Sequence, residues 1–233
     1  MTTSNKTVTF FGASTGIGLS ALKETLAAGH QCIALCRVPT KLETLQTEHN
    51  KLLHLFEGNA HDAKAMGKCL LKKDGTFVDE IVFSIGGKPI PYKMSIDDPK
   101  VCQTGMTVLL ECIKQMRRDG ATGRPLIIAL STTGTSRFSR DYPFKLSLIY
   151  CVALKVPRDD KIAMEDKLSA SGEEFCVVRA SLLVNGESKT PIRVGIEDPK
   201  TGMEHQEIGY TISREDAGKW IAENLIMNRR GEY

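Results

Sequence analysis

Thr7-Val8-Thr9-Phe10-Phe11-Gly12-Ala13-Ser14-Thr15-Gly16-Ile17-Gly18-Leu19-Ser20-Ala21-Leu22 decides the fold of this chain. Residues 7–11 are β-branched or aromatic and read as a strand buried on both faces. A helix follows at once, and Gly12, Gly16 and Gly18 lie between the two. The first glycine lets the chain turn sharply off the strand. The second lets backbone approach an anion, and the third lets helix pack closely on sheet. The product is a helix N-terminus whose free N–H groups and positive dipole end face a phosphate. Gly12, Ser14, Thr15, Gly16, Ile17 and Gly18 are therefore the expected cradle.

Outward from this turn, the helix carries Ile17, Ala21, Leu22, Thr25 and Leu26 on one face and stops at Gly29. A second apolar strand, Gln31 to Cys36, ends in Arg37 and completes a βαβ unit of about 30 residues, the size of a dinucleotide-binding crossover. An acidic residue at the end of that strand would bind both ribose hydroxyls of NAD(H). Arg37 instead predicts NADP(H), through a bidentate pair with the 2′-phosphate. Further strands are expected at Leu52–Phe56, Asp79–Ile85, Leu126–Leu130 and Glu174–Arg179. The fourth delivers Ser84, Ile85, Gly86 and Gly87 to the sheet edge, where glycines let a ribose or nicotinamide lie against backbone. The fifth delivers Ser131 and Thr132. The expected architecture is a doubly wound α/β Rossmann fold with a mostly parallel sheet, strand order 3-2-1-4-5-6-7 and helices on both faces. One domain over residues 1–233 suffices, with small substrate-side elements at about 134–158 and 185–212.

Local signals fix further expectations. Thr40 and Glu43 have capping-box spacing, Asp62 can cap a helix, and Asp98-Pro99 should open a long one. Residues 88–94 form a loop containing two prolines, and 134–158 is an irregular stretch expected to set specificity. A helix is expected from about Asp159 to Ser171. Residues 191–196 and 207–212 should pair as terminal strands around the Asp198–Gly202 turn, and Ser213 should cap a final helix carrying Trp220, Ile221, Leu225 and Ile226.

The Gly12–Gly18 motif resembles that of the short-chain dehydrogenase/reductase superfamily. The run Asp160-Lys161-x-x-x-Glu165-x-x-Leu168, with Ser171-Gly172 after it, is similar to the atypical branch that includes flavin/biliverdin-IXβ reductase and the isoflavone-reductase and NmrA-like proteins. Ser213-Arg214-x-Asp216-Ala217 resembles the Ser-Arg-x-Asp-x-Ala signature of the same branch, structural there, with the alanine shifted by one residue. The resemblance implies an NAD(P)H-dependent oxidoreductase that transfers hydride to a small carbonyl, enone or flavin-like compound. It also places the Asn59-Ala60 turn beside the adenine, with Asn59 where aspartate is usual. After the sixth strand Arg179-Ala180 stands where the branch has Arg-Pro.

The superfamily's usual Tyr-x-x-x-Lys pair, which shares one helix face, is missing. Tyr150 and Lys155 are five apart, about 140° around a helix, and Pro143 separates Tyr142 from Lys145. The resemblance instead points to Lys161, matching a catalytic lysine of isoflavone-reductase-like enzymes. It would hold the nicotinamide ribose or protonate the reduced substrate, with Ser131 or Thr132 orienting a carbonyl. Tyr150, reached through the irregular stretch, is the alternative acid. The plainer readings are a solvated lysine in a helix's first turn and strand-end hydroxyls that satisfy loop backbone.

Thirty-one Lys and Arg against 28 Asp and Glu leave +3, too small and scattered an excess for a nucleic-acid footprint. No run approaches the ~18 apolar residues of a membrane span. Seven cysteines without a CxxC pair read as buried hydrophobes in a reducing compartment, not as a metal site or disulfides. A soluble, cytoplasmic monomer or homodimer acting on a small molecule is the expectation. A dinucleotide-sensing regulator and a biosynthetic isomerase or cyclase on the same fold stay open.

Overall fold

Five consecutive residues, Thr7–Phe11, form strand β1, with Val8 to Phe11 completely enclosed. The computed structural model describes residues 5–228, Met94 and Lys189 excepted, so one residue of the expected 88–94 loop lies outside the described residues. β1 runs into helix α1 (Gly16–Ala27), then β2 (Gln31–Cys36), a 3₁₀ turn at Pro39–Leu42 and α2 (Glu43–Glu48). β3 (Leu53–Glu57), α3 (Ala63–Gly67) and β4 (Glu80–Phe83) follow. A small hairpin of β5 (Pro89–Ile90) and β6 (Ser95–Ile96) leads to α4 (Val101–Arg118) and β7 (Leu126–Thr132). The C-terminal third holds α5 (Lys155–Ser169), β8 (Phe175–Ala180), β9 (Leu182–Val184), β10 (Ile196–Asp198), β11 (Gly202–His205), β12 (Thr211–Ser213) and α6 (Arg214–Ile221).

The central sheet has the order β3-β2-β1-β4-β7-β8, every neighbouring pair parallel. These are the six sequence-predicted strands in their predicted order. The seventh does not join them. Thr211–Ser213 pairs in parallel with Leu182–Val184, the continuation of β8 past a break at Ser181, and so forms a separate two-stranded sheet. The expected terminal pair is corrected in the same region: the antiparallel hairpin is Ile196–Asp198 with Gly202–His205, and residues 191–195 are not strand. Its turn is where the composition placed it, with Asp198 accepting from Lys200 N and Thr201 N at 2.7 Å each.

Two hydrophobic clusters flank the sheet. On one face α1, α2 and α6 pack over Val8, Phe10, Val82 and Ile128. On the other, α3, α4 and α5 cover Phe11, Ile81, Phe83 and Ile127. The alternation of side chains along each strand divides these residues between the two faces.

Several helix starts differ from the sequence reading. Asp62 caps α3 as expected, accepting from Lys64 N and Ala65 N, and Ser213 caps α6 through Asp216 N. Thr40 forms no capping box, because it lies inside the 3₁₀ turn. Asp98 does not cap α4. It folds back on Lys100 N, and the cap comes from across the structure: the buried carboxylate of Asp160 accepts from Cys102 N at 2.9 Å and Gln103 N at 3.0 Å. The stretch 134–158 is less irregular than its sequence suggests, since it contains a turn at Phe144–Leu146, a wide helical turn at Ile149–Ala153 and the first turn of α5.

Candidate dinucleotide site

The glycine turn is built so that only glycine fits. Gly12 has φ +92°, and a Cβ there would lie 2.7 Å from the Ser84 carbonyl carbon. Gly16 has φ +64°. A Cβ on Gly18 would come within 2.2 Å of Ser84 Oγ and 2.9 Å of Gly12 O. Ser84, from the end of β4, is thus turned into the glycine loop, where its hydroxyl donates to Phe11 O at 3.0 Å. The first turn of α1 receives no side-chain cap and holds no acidic residue. Its N–H groups and dipole end are left for an anion. Ser14 and Thr15 line this turn, Thr15 exposed and Ile17 buried beneath.

Arg37 stands exposed at the end of β2, with Lys41 exposed nearby in the chain. Asn59 is also exposed, and its side-chain oxygen accepts from His61 N at 3.2 Å, which shapes the turn that carries Ala60. Gly86 meets nothing within 4 Å of a built Cβ, consistent with an open backbone surface, whereas Gly87 packs closely on Ile96.

Lys161 lies across the strand ends. Its Nζ donates to Ile85 O at 2.9 Å and to Leu130 O at 2.6 Å, tying the ends of β4 and β7 together. Ser84 closes the glycine turn and the next residue, Ile85, holds the lysine. Consecutive Cα atoms are 3.8 Å apart, so the glycine turn and the ammonium are joined through the two residues that follow β4.

The two strand-end hydroxyls differ. Ser131 donates to Glu165 Oε1, which also accepts from Thr135 at 2.8 Å. The other oxygen of Glu165 takes Arg179 Nη2 at 2.7 Å, and Arg179 reaches on to Glu197. Burial alone would lower the pKa of Arg179, but hydrogen bonding and charge from Glu165 and then Glu197 raise it above its ordinary value. Thr132 is less committed, with a long 3.4 Å contact to Ala180 O. Glu165 and Arg179 were not among the site residues read from sequence. The usable signal was Glu165 one turn after Lys161 on the same face of α5, with an arginine ending an otherwise apolar strand.

Tyr150 meets the chain one residue past Thr132. It is fully enclosed, bonded to Thr133 Oγ1 at 2.7 Å and stacked on Tyr142 at 4.4 Å. Burial pushes its phenol pKa up, partly offset by Thr133, the opposite of what a proton donor near neutral pH requires. It supports the 134–141 loop from within. Burial also pushes the Cys102 thiol up to about 11 and the Cys69 thiol to about 12, so both behave as core hydrophobes. None of the seven cysteines forms a disulfide, and no metal-ligating cluster occurs among the described residues.

A glycine-turned helix N-terminus at the C-terminal edge of a parallel sheet defines a dinucleotide-binding Rossmann protein. The chain belongs to the NAD(P)H-binding family, whose model matches residues 12–227, and its fold is that of the atypical short-chain dehydrogenase/reductases. It is 35% identical to "Reductase pytE" of Aspergillus terreus, across 100% of this chain and 97% of that protein. It is 28% identical to "Oxidase pynE" of Aspergillus niger, over 99% and 96%. Among solved structures, a short-chain dehydrogenase/reductase of Veillonella parvula in complex with NADP superposes with a TM-score of 0.70 at 15% identity, covering 95% of this chain and 88% of that one. No helix among the described residues is long and apolar enough to cross a membrane.

Proposed function

We propose that this chain is an NADPH-dependent oxidoreductase acting on a small carbonyl, enone or flavin-like substrate, with Lys161 as the group that handles the proton. The observation that carries the reading is the Lys161 ammonium held at the ends of β4 and β7, next to the strand end that seals the glycine turn. When bound, the nicotinamide supplies the hydride.

The protein's own residues supply the rest. Gly12, Gly16 and Gly18 admit the pyrophosphate, and the uncapped N-terminus of α1 meets its charge. Arg37 reads the 2′-phosphate, which favours NADPH over NADH. Asn59 and Ala60 flank the adenine, and Ile85 to Gly87 form the surface for the nicotinamide half. An ammonium has three donors. Two of those on Lys161 are used on carbonyls, and the group also meets the buried Cys102 thiol, so a ribose hydroxyl or a substrate oxygen would take the remaining donor from that weak acceptor. Ser131, whose proton goes to Glu165, offers lone pairs to an incoming donor and acts as a positioning residue. Thr132, held only by its long bond to Ala180 O, is the hydroxyl that would turn to orient a carbonyl. The relatives named as a reductase and as an oxidase agree with redox chemistry on this scaffold, and the NADP complex of the Veillonella parvula protein agrees with the cofactor.

The test is NADPH oxidation against a panel of quinones, enones and flavins. Lys161→Met is expected to lower kcat by the ~10²–10⁴-fold typical of lost general acid catalysis, with the NADPH dissociation constant within a few-fold of wild type. Full activity in Lys161→Met together with a dead Tyr150→Phe would transfer the role to the tyrosine. NADPH binding without reduction of any acceptor would favour the dinucleotide-sensing alternative.

A further inference from the structure

We infer that Arg214 is a second cationic ligand for the dinucleotide, closing on its pyrophosphate from the side of α6. This rests on the dinucleotide-binding reading above. The aliphatic stem of Arg214 runs beside the glycine turn: a Cβ built on Gly16 would lie 3.7 Å from its Cδ and 4.0 Å from its Nε. The guanidinium is therefore beside the uncapped first turn of α1. Its position is fixed by packing, because Ser20 Oγ donates to Glu215 O at 2.8 Å and Gly218 lies directly against Ser20. Side-chain direction is fixed as well, by a 2.7 Å bond from Nη1 to Asn185 Oδ1.

Arg214 lies close enough to Glu215 to help lower that carboxyl's pKa, after the backbone and Ser213 hydrogen bonds, but it makes no direct ion pair with it. Among the described residues it forms no salt bridge, and its hydrogen-bond partner is a neutral amide. The two carboxylates that follow it are occupied by backbone. Glu215 accepts from Gly186 N at 3.0 Å, and Asp216 from Ser188 N at 3.0 and 3.2 Å. These bonds hold the 185–188 loop over the start of α6, with Asn185 presenting its oxygen to the arginine. A hollow of about 260 Å³ opens there between Gly16, Ser20, Asn185 and Arg214; Lys23 and Lys219 share its rim with the carboxylates of Glu24, Glu187, Glu215 and Asp216, so the anion-accepting part is the end at Gly16 and Arg214. A guanidinium with a fixed stem, a neutral anchor and unused donors beside an anion-accepting helix end suits a diphosphate. The Ser-Arg-x-Asp motif thus does two jobs: Ser213 and Asp216 build the helix start, and Arg214 faces the ligand.

Two arginines would then read different parts of one molecule, which makes the assignment separable. Dissociation constants are measured by calorimetry for NADPH, NADH and adenosine 2′-monophosphate, which has no pyrophosphate. Arg214→Ala is expected to weaken NADPH and NADH alike, by about 10- to 100-fold as for loss of a charge-assisted pair, leaving adenosine 2′-monophosphate unchanged. Arg37→Ala should weaken NADPH and adenosine 2′-monophosphate and spare NADH. Arg214→Gln keeps most of the stem over Gly16, so a matching loss in this variant at unchanged melting temperature assigns the effect to the charge. Undiminished binding in both Arg214 variants, or a loss confined to the 2′-phosphorylated ligands, overturns the inference. A wild-type protein that binds neither dinucleotide would instead refute the function proposed above.

Discussion

Gly18 shows what one missing carbon does in this fold. Its absent Cβ is the space filled by Ser84 Oγ and approached by Gly12 O. Gly18→Ala is expected to destabilise by about 1–3 kcal/mol, as overpacking in a tight site does, which for a chain of this length lowers Tm by roughly 2–4 °C per kcal/mol. The double variant Gly18→Ala/Ser84→Ala should recover only part of that loss, because the 2.9 Å approach to Gly12 O belongs to backbone and remains. Complete recovery in thermal unfolding would show that the hydroxyl alone set the constraint. The glycines were legible in sequence because the demand they meet is local, a turn and a close approach between neighbours in the chain. Glu165 and Arg179 were not, since the first lies 34 residues from Ser131 and 14 from Arg179. No window along the sequence contains the whole group.

At the level of elements, the loop from Gly134 to Asp141 is the least predictable part of the site and is shaped by polar side chains bonded within it. Asp141 accepts from Gly134 N at 2.6 Å, and its second oxygen is buried without a partner. Burial raises its pKa, against the lowering effect of the Gly134 N–H. The folded state therefore holds the proton more tightly than the unfolded chain does. The cost of ionising this carboxyl appears as pH rises through the ordinary aspartate range near 4 and is complete above the folded value. Asp141→Asn cannot ionise, so its Tm relative to wild type should increase between about pH 4 and pH 7. A relative Tm that falls over that range in thermal scans would show that the charged form is the one the loop prefers. Periodicity did not reveal this segment because its order comes from a few polar side chains turned inward, with no apolar stripe. The displaced start of α4 has a similar cause, since its cap is Asp160, 58 residues from Cys102.

Across the whole molecule, six strands fell in the order expected because each is a predominantly apolar run joined by a crossover, and parallel βαβ units have one strongly preferred hand. The seventh failed because three residues carry too little apolar surface to compete for the sheet edge, and they found a partner in the short extension Leu182–Val184. The cradle, Lys161 and the 185–188 loop derive from different parts of this framework, so a ligand that bridges them stabilises the fold as a unit. NADPH at about 100 times its dissociation constant is expected to add about 2.7 kcal/mol, and so to raise Tm by roughly 5–10 °C. NADH at the same concentration should raise it less if Arg37 reads the 2′-phosphate. Equal shifts from the two would remove the basis for NADPH selectivity.

Helix α5 carries a consequence for how such a chain can change over generations. Asp160 holds the start of α4, Lys161 holds two strand ends, and Glu165 holds Ser131 and Arg179. One inserted or deleted residue between Lys155 and Asp160 turns everything downstream by about 100°, unfastening all three at once. Insertions and deletions should therefore be rare across this helix in descendants of a common ancestor, and should collect upstream around Phe144 and Leu148, whose side chains face solvent. Divergence in what the protein accepts can then proceed by lengthening or shortening that upstream stretch, while the helix behind it stays in frame.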